Sequence, residues 1–215
     1  MPGISNKTVG RLSVYRRILS QLSKDGQSHV YSHLLGQRAG MTAAQVRRDL
    51  MVAGCTGTPA KGYAINELLA QLDRFFGADQ IQRLALAGVG NLGRALLAYF
   101  PARRPNAKIL AAFDRDEYKT ERVILGCRCY PVQRMEELTA ELGISVGIIA
   151  VPAAEAQGVA DQFVAGGVKG LLNFAPAVLR LPPDIYVEDI DITMMLDKVA
   201  YFARRPGPVQ EVSRA

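Results

Sequence analysis

The sequence predicts an α/β protein: an N-terminal winged helix-turn-helix, then a Rossmann-type doubly wound parallel sheet, then a C-terminal helix. Three observations predict it. A short apolar run, Leu84-Ala85-Leu86-Ala87, passes directly into Gly88-Val89-Gly90-Asn91-Leu92-Gly93, a G-x-G-x-x-G, and a helical pattern (Leu92, Ala95, Leu96, Tyr99) begins at once. From there on, short apolar strands alternate with helical patterns. The whole net charge of +6 falls in residues 1–75, which hold ten basic and four acidic side chains, while the remaining 140 residues hold 16 of each.

The first segment is helical and then turn-rich. Leu12, Tyr15, Ile18, Leu19 and Leu22 repeat at helical spacing, and Lys24-Asp25-Gly26 ends that helix. A short helix is expected over Ser32 to Arg38, stopping near Gly40. Thr42 with Gln45 three residues on forms a capping box, which opens a helix through Arg47-Arg48-Asp49-Leu50 to near Gly54. Turn formers from Gly54 to Tyr63, flanked by possible short strands, read as a hairpin, and Ile65, Leu68, Leu69 and Leu72 read as a further helix before a join near Gly77-Ala78-Asp79. After the join, strands are expected at 83–87, 108–113, 128–132, 146–151, 170–173 and 185–189, with helices at 91–100, 133–142 and 154–165. Ile192 to Ala203 is a closing helix, and Arg204-Arg205-Pro206-Gly207-Pro208 opens a polar tail expected to be disordered. The domains are thus drawn at 1–78, 79–190, 191–203 and 204–215.

Each glycine of the loop has a task in dinucleotide binding. Gly88 permits the tight turn, Gly90 lets backbone approach a pyrophosphate, and Gly93 lets the helix pack close to the strand; Val89, Asn91 and Leu92 complete the loop. A second apolar run, Ile109 to Phe113, ends at Asp114, 26 residues after Gly88. A carboxylate there accepts hydrogen bonds from ribose hydroxyls and repels a 2′-phosphate, which favours NAD(H), although the neighbouring Arg115 offers a phosphate partner.

The localised positive charge suits a polyanion, or it is simply a solvated basic face. Projected at about 100° per residue, Ala43, Val46 and Leu50 fall on one face of the capped helix. Ala44, Gln45 and Arg48 fall on the other, with Arg47 at the border. A recognition helix needs this arrangement. Arg48 matches guanine O6/N7 and Gln45 adenine N6/N7, while Arg47 on the flank suits a phosphate.

No run approaches the roughly 20 apolar residues that span a bilayer, and no apolar leader follows Met1, so a cytoplasmic location is expected. Cys55, Cys127 and Cys129 form no disulfide or metal pattern and are expected to be reduced thiols, with no metal site. The two histidines, His29 and His33, lie in the basic segment, so the nucleotide fold lacks the usual proton-transfer side chain. A sensor therefore reads better than an enzyme. A small NAD-dependent oxidoreductase with a basic dimerisation segment, and a regulatory module that recognises a protein, stay open as rivals.

The chain resembles the Rex family of bacterial redox-sensing transcriptional repressors over nearly its whole length. Arg11-Leu12-Ser13-Val14-Tyr15, Gln45-Val46-Arg47-Arg48-Asp49-Leu50, Gly88 to Leu96 and Ala112-Phe113-Asp114 carry the resemblance. So do Val151-Pro152-Ala153-Ala154-Glu155-Ala156-Gln157 and Leu172-Asn173-Phe174-Ala175-Pro176, which are not general Rossmann features. The resemblance implies a homodimer whose C-terminal helices are exchanged, bound to double-stranded operator DNA when NADH is scarce and released when NADH accumulates. It implies that Arg47 and Arg48 contact DNA, that Tyr99 lies near the nicotinamide and that Tyr201 reaches the partner's cofactor. It further implies that Val151, Pro152, Asn173, Phe174 and Pro176 line the cofactor cleft, and that Arg11 pairs with Asp191 across the dimer in one of its states. The wing departs from the family: Thr58-Pro59-Ala60-Lys61-Gly62-Tyr63 places Pro59 where a basic residue is expected and leaves Lys61 as its DNA-contacting cation.

Overall fold

A computed structural model describes residues 3–57, 62–78 and 80–204. The described residues divide into two compact units that meet in sequence at residues 79 and 80.

The first unit is built from α1 (Asn6–Lys24), β1 (His29–Val30), α2 (Ser32–Ala39), α3 (Ala43–Val52), β2 (Tyr63–Ala64) and α4 (Ile65–Phe75). Helix α1 starts where Ser5 accepts a hydrogen bond from the Thr8 N–H, and it buries Leu12, Tyr15, Leu19 and Leu22. Their spacing of three and four residues makes one stripe. That stripe, Leu35 of α2, Val46 and Leu50 of α3, and Ile65, Leu68 and Leu72 of α4 form a single core. The expected hairpin takes another form. Tyr63 and Ala64 pair antiparallel with Val30 and His29, so the ladder joins the strands that precede α4 and α2. Residues 55–57 carry no strand. The wing residues Pro59, Ala60 and Lys61 lie outside the described residues, as does the tail beyond Arg204.

The second unit holds β3 (Gln82–Ala87), α5 (Asn91–Arg103), β4 (Ala107–Asp114), β5 (Val123–Ile124), β6 (Cys127–Pro131), α6 (Met135–Glu141), β7 (Val146–Ile149), α7 (Ala153–Ala165), β8 (Gly170–Asn173), β9 (Tyr186–Asp189) and α8 (Ile192–Ala203). The sheet has seven strands in the order β5-β6-β4-β3-β7-β8-β9. All neighbours are parallel except β5 and β6. Successive side chains of β3 part to opposite faces. Leu84 and Leu86 join a core with Leu97 of α5, and Ala85 and Ala87 join another with Leu138 of α6 and Phe163 of α7. With both faces covered, an uninterrupted apolar run is what a buried parallel strand requires.

The differences from expectation are local. Helix α5 runs three residues past Phe100, through Pro101, and the helix expected from 133 starts as a single 3-10 turn over Val132–Arg134. The β5–β6 hairpin was not legible. Its two-residue turn, Leu125-Gly126, has φ of 50° and 82°, the geometry that Asn-Gly normally signals. The described part of α8 buries no residue, and Ile192, Leu196, Val199 and Tyr201 are all more than half exposed.

The strand order reverses at β3, so the loops after β3 and β7 part to leave a crevice at the carboxyl ends of the strands. Gly88 turns there with φ of 92°, and a Cβ on it would meet the Ala150 carbonyl oxygen at 2.4 Å. A Cβ on Gly93 would lie 2.0 Å from the Gly88 carbonyl oxygen, whereas one on Gly90 would meet nothing within 4 Å. Gly93→Ala is therefore expected to destabilise the second unit by about 1–3 kcal/mol or more through overpacking against backbone. Gly90→Ala should cost less than about 1 kcal/mol. Urea unfolding of the two variants checks the contrast.

Candidate cofactor cleft and nucleic-acid interface

The crevice holds a cavity of about 520 Å³ lined on one side by Gly88, Gly90 and Asp114 and on the other by Val151, Pro152 and Glu155. Helix α5 begins at its mouth, with Gly90 as N-cap and no side chain capping it. Its first N–H groups thus lack a side-chain acceptor and favour an anion. The open space at the Gly90 Cβ position fits a pyrophosphate drawn close to backbone.

Asp114 is buried at the end of β4. Its Oδ2 accepts from the Val89 N–H at 2.8 Å and from Lys119 Nζ at 3.2 Å, and its Oδ1 accepts from the Asp116 N–H at 3.0 Å. Burial pushes the carboxyl up, but the N–H groups of Asp116 and Val89 and the Lys119 ammonium hold it below the usual carboxylate range. It therefore stays ionised and pins the glycine loop to β4. A carboxylate has about four acceptor positions, so one on Oδ1 remains for a ribose hydroxyl. Arg115 is joined to Glu155 at 2.5 Å. Lys119 also lies 3.4 Å from Asp116, so each cation near the candidate ribose position already faces an acid.

Of the other residues expected around a cofactor, Asn91 and Leu92 lie in the first turn of α5 and are exposed. Tyr99 is half exposed on α5, with the Arg103 guanidinium 4.8 Å from its ring centre. Asn173 is buried, and its amide is used locally: Nδ2 donates to the Ala177 carbonyl and to Asp189, and Oδ1 accepts from the Ala175 N–H. Phe174 packs with the core on the α5 side of the sheet. Tyr201 lies on the exposed α8. The structure thus brings Gly88, Gly90, Asp114, Val151 and Pro152 into one cavity, and Tyr99, Asn173, Phe174 and Tyr201 do not line it. Lys119 and Glu155 also line the cavity; nothing in the sequence marks Lys119, and Glu155, although within the Val151–Gln157 motif, gives no sign there that it faces Arg115.

In the first unit, α3 presents Ala44, Arg47 and Arg48 to solvent. Thr42 Oγ1 accepts from the Gln45 N–H at 3.1 Å, which is the forward half of a capping box. The return half is replaced. Gln45 Nε2 donates to Asp49 Oδ1 at 2.8 Å, and Gln45 Oε1 accepts from Arg48 at 3.0 Å. Arg47 donates to Ser32 Oγ at 3.1 Å. Asp49, only 2% exposed, also receives Arg11 through Nε at 2.7 Å and Nη2 at 2.8 Å, and the Tyr15 hydroxyl at 2.9 Å. Burial raises the Asp49 carboxyl, and hydrogen bonds from Arg11, Gln45 and Tyr15 more than reverse that, so its pKa is lowered. Arg11 therefore has Asp49 as its partner, while Asp191 caps α8 by accepting from the Met194 N–H at 2.9 Å. Nothing local in the sequence marks Asp49 as the meeting point of α1 and α3, because Arg11 and Tyr15 lie 38 and 34 residues away.

Cys127 and Cys129 are buried, and burial pushes both thiols up to about 11. The thiolate that redox chemistry needs is disfavoured at neutral pH.

Residues 3–50 match the family model "Putative DNA-binding protein N-terminus", and residues 79–177 match "CoA binding domain". The redox-sensing transcriptional repressor Rex of Carboxydothermus hydrogenoformans is 41% identical over 94% of this chain and 97% of its own. That of Geobacillus kaustophilus is 39% identical over 96% and 97%. This chain belongs to the Rex family. Among solved structures of Rex-family repressors, RSP in complex with β-NAD+ and operator DNA matches with a TM-score of 0.87 at 30% identity, over 94% of this chain and 93% of that one. RSP in complex with β-NADH matches at 0.82 and 29%, over 94% of each chain. The winged-helix and Rossmann architecture is thus that of a Rex protein, and among the described residues no helix is long and apolar enough to cross a membrane.

The lowered pKa of Asp49 fixes the sign of an acid dependence. The unfolded carboxyl titrates at about 3.9, so the network's stabilisation is complete above that value and is lost as pH falls through the lower folded value. The first unit should lose thermal stability below about pH 4. Asp49→Asn should be less stable than the native chain at pH 7 and converge with it in acid, as read by thermal unfolding across pH.

Proposed function

We propose that this chain is a redox-sensing transcriptional repressor that binds operator DNA as a homodimer and is released by NADH, so that it reports the NADH/NAD+ ratio in the cytoplasm. One observation carries the reading: the chain that places an uncapped helix N-terminus and an ionised Asp114 at one crevice also carries Arg47 and Arg48 exposed on a capped helix. Near-full-length likeness to repressors named as redox sensors supports it, as does a solved relative that holds both β-NAD+ and operator DNA.

In this reading the cofactor's pyrophosphate lies at Gly88, Val89, Gly90, Asn91, Leu92 and Gly93, and Asp114 accepts a ribose hydroxyl. Val151 and Pro152 lie on the opposite wall of the cleft; Asn173, Phe174, Tyr99 and Tyr201 do not line that cavity in the single chain, and the reading places Asn173 and Phe174 beyond it on the nicotinamide side, with Tyr99 and Tyr201 as aromatic partners. The nicotinamide ring is cationic in NAD+ and neutral in NADH. Apolar surroundings penalise the cation by desolvation, although aromatic faces offset part of that cost. NADH should therefore bind more tightly. Asp114 and the acid partners of Arg115 and Lys119 oppose a 2′-phosphate, so NAD(H) is the cofactor rather than NADP(H). The same reading assigns the chain no turnover.

On the DNA side, Arg48 reads a base edge, while Arg47 meets a phosphate and Lys61 extends the contact from the wing. The exposed apolar α8 supports the homodimer: Ile192, Leu196 and Val199 need a cover that the described residues of their own chain do not supply. In the dimer Arg11 exchanges Asp49 for Asp191 of the partner in one of the two states.

A repressor of this kind obeys linkage. NADH loosens DNA only by the ratio of its affinities for the free and DNA-competent dimers, and operator DNA must weaken NADH binding by the same factor. Calorimetric NADH titrations with and without saturating operator, at fixed salt, should return a weaker affinity in the presence of DNA. Equal affinities alongside intact DNA binding would overturn the release mechanism. In the same calorimeter NADPH should bind more weakly than NADH, and equal binding would remove Asp114 from its assigned role.

A further inference from the structure

We propose that Gln45 is a positioning residue that orients Arg48 for base reading, and that Asp49, held by Arg11 and Tyr15, sets its direction. The inference rests on α3 being the element that reads DNA, and it changes the role that pattern alone gives Gln45.

An ionised carboxylate only accepts hydrogen bonds and offers about four positions. Four donors meet that of Asp49: Arg11 Nε and Nη2, the Tyr15 hydroxyl and Gln45 Nε2, at 2.7 to 2.9 Å. The carboxylate is saturated and 2% exposed. Because it cannot donate, the amide of Gln45 must present its nitrogen to Asp49, and its oxygen is thereby turned toward Arg48. Arg48 Nη2 donates to that oxygen at 3.0 Å.

A bidentate contact with adenine needs an amide oxygen and an N–H aimed at one base edge together. With its nitrogen directed at a buried carboxylate, Gln45 cannot aim both outward. Arg48 is in the opposite position. Its guanidinium has five N–H donors, of which the hydrogen bond to Gln45 uses one, and it is exposed. It remains free to meet guanine O6 and N7 while one edge is held. The chain of contacts therefore runs from α1, through the buried acid, to the arginine on the helix surface. Ordering the arginine in the free protein removes part of the entropy cost of docking it.

The test uses the full-length chain and duplexes that the native chain selects from a randomised library, each base pair then replaced in turn. Gln45→Met keeps the size and removes both hydrogen bonds, and Asp49→Asn lets the amide turn over. The expected result is that Gln45→Met, Asp49→Asn and Arg48→Ala all lose discrimination at the same base pair. For Gln45→Met the loss is roughly tenfold, with an unchanged salt slope and a thermal midpoint that falls but leaves the chain folded at the assay temperature, since Asp49 keeps three of its four donors. Gln45→Met added to Arg48→Ala should cause no further loss. A loss at an A·T pair of its own, with the Arg48 pair untouched, would make Gln45 a base reader and overturn the proposal. So would full discrimination in Gln45→Met. A native chain that selects no sequence would overturn the DNA-reading assignment itself, whereas selection with independent Gln45 and Arg48 effects overturns only the positioning role.

Discussion

The second unit depends on one close approach. Helix α5 leaves β3 so tightly that the Gly93 Cβ position falls 2.0 Å from the Gly88 carbonyl oxygen. That contact aims the N-terminus of α5 into the crevice, and it leaves room at Gly90 for something other than protein. Asp114 then fixes the loop from the neighbouring strand by accepting the Val89 N–H. The carboxylate thus serves two purposes. It organises the loop in the free protein, and it keeps an acceptor position for a ribose. Its lowered pKa follows from the first of these.

The first unit has a corresponding constraint in Asp49. A buried carboxylate is costly unless it is paired and hydrogen-bonded, and here two helices complete it. Removing one partner leaves an uncompensated charge in the core, so α1 and α3 are held in a single register. The basic face of α3 is consequently a rigid surface carried by an acid beneath it.

The described part of α8 stands apart from both arrangements. Its apolar side chains are too exposed to stabilise the chain that carries them. A contiguous apolar face of that kind marks an interaction site.

Periodicity carried the sequence reading far. Leu12, Tyr15, Leu19 and Leu22 mark the core of the first unit because helical spacing is a local property, and Leu84 to Ala87 mark a strand buried on both faces for the same reason. The G-x-G-x-x-G works locally too: only glycine tolerates the backbone and contact that Gly88 and Gly93 adopt. The hairpin at Leu125-Gly126 escaped because leucine is an unusual residue at positive φ. The ladder from β1 to β2 escaped because pairing across 33 residues leaves no local trace.

The sequence by itself determined the two kinds of fold, the glycine loop, the acid at the end of β4 and the helix that bears Arg47 and Arg48, since each is written in neighbouring residues. Only the tertiary structure decided which acids and cations face one another. Lys119 and Val89 meet at Asp114, Glu155 holds Arg115, and Arg11 from a different helix meets Asp49. Such partners come from separate elements, and their meeting depends on packing that no local pattern encodes. The Gln45 amide lies between the two cases: its spacing to Asp49 and Arg48 on α3 is local, but the packing of Arg11 and Tyr15 from α1 buries that carboxylate and so leaves the amide a single way to point.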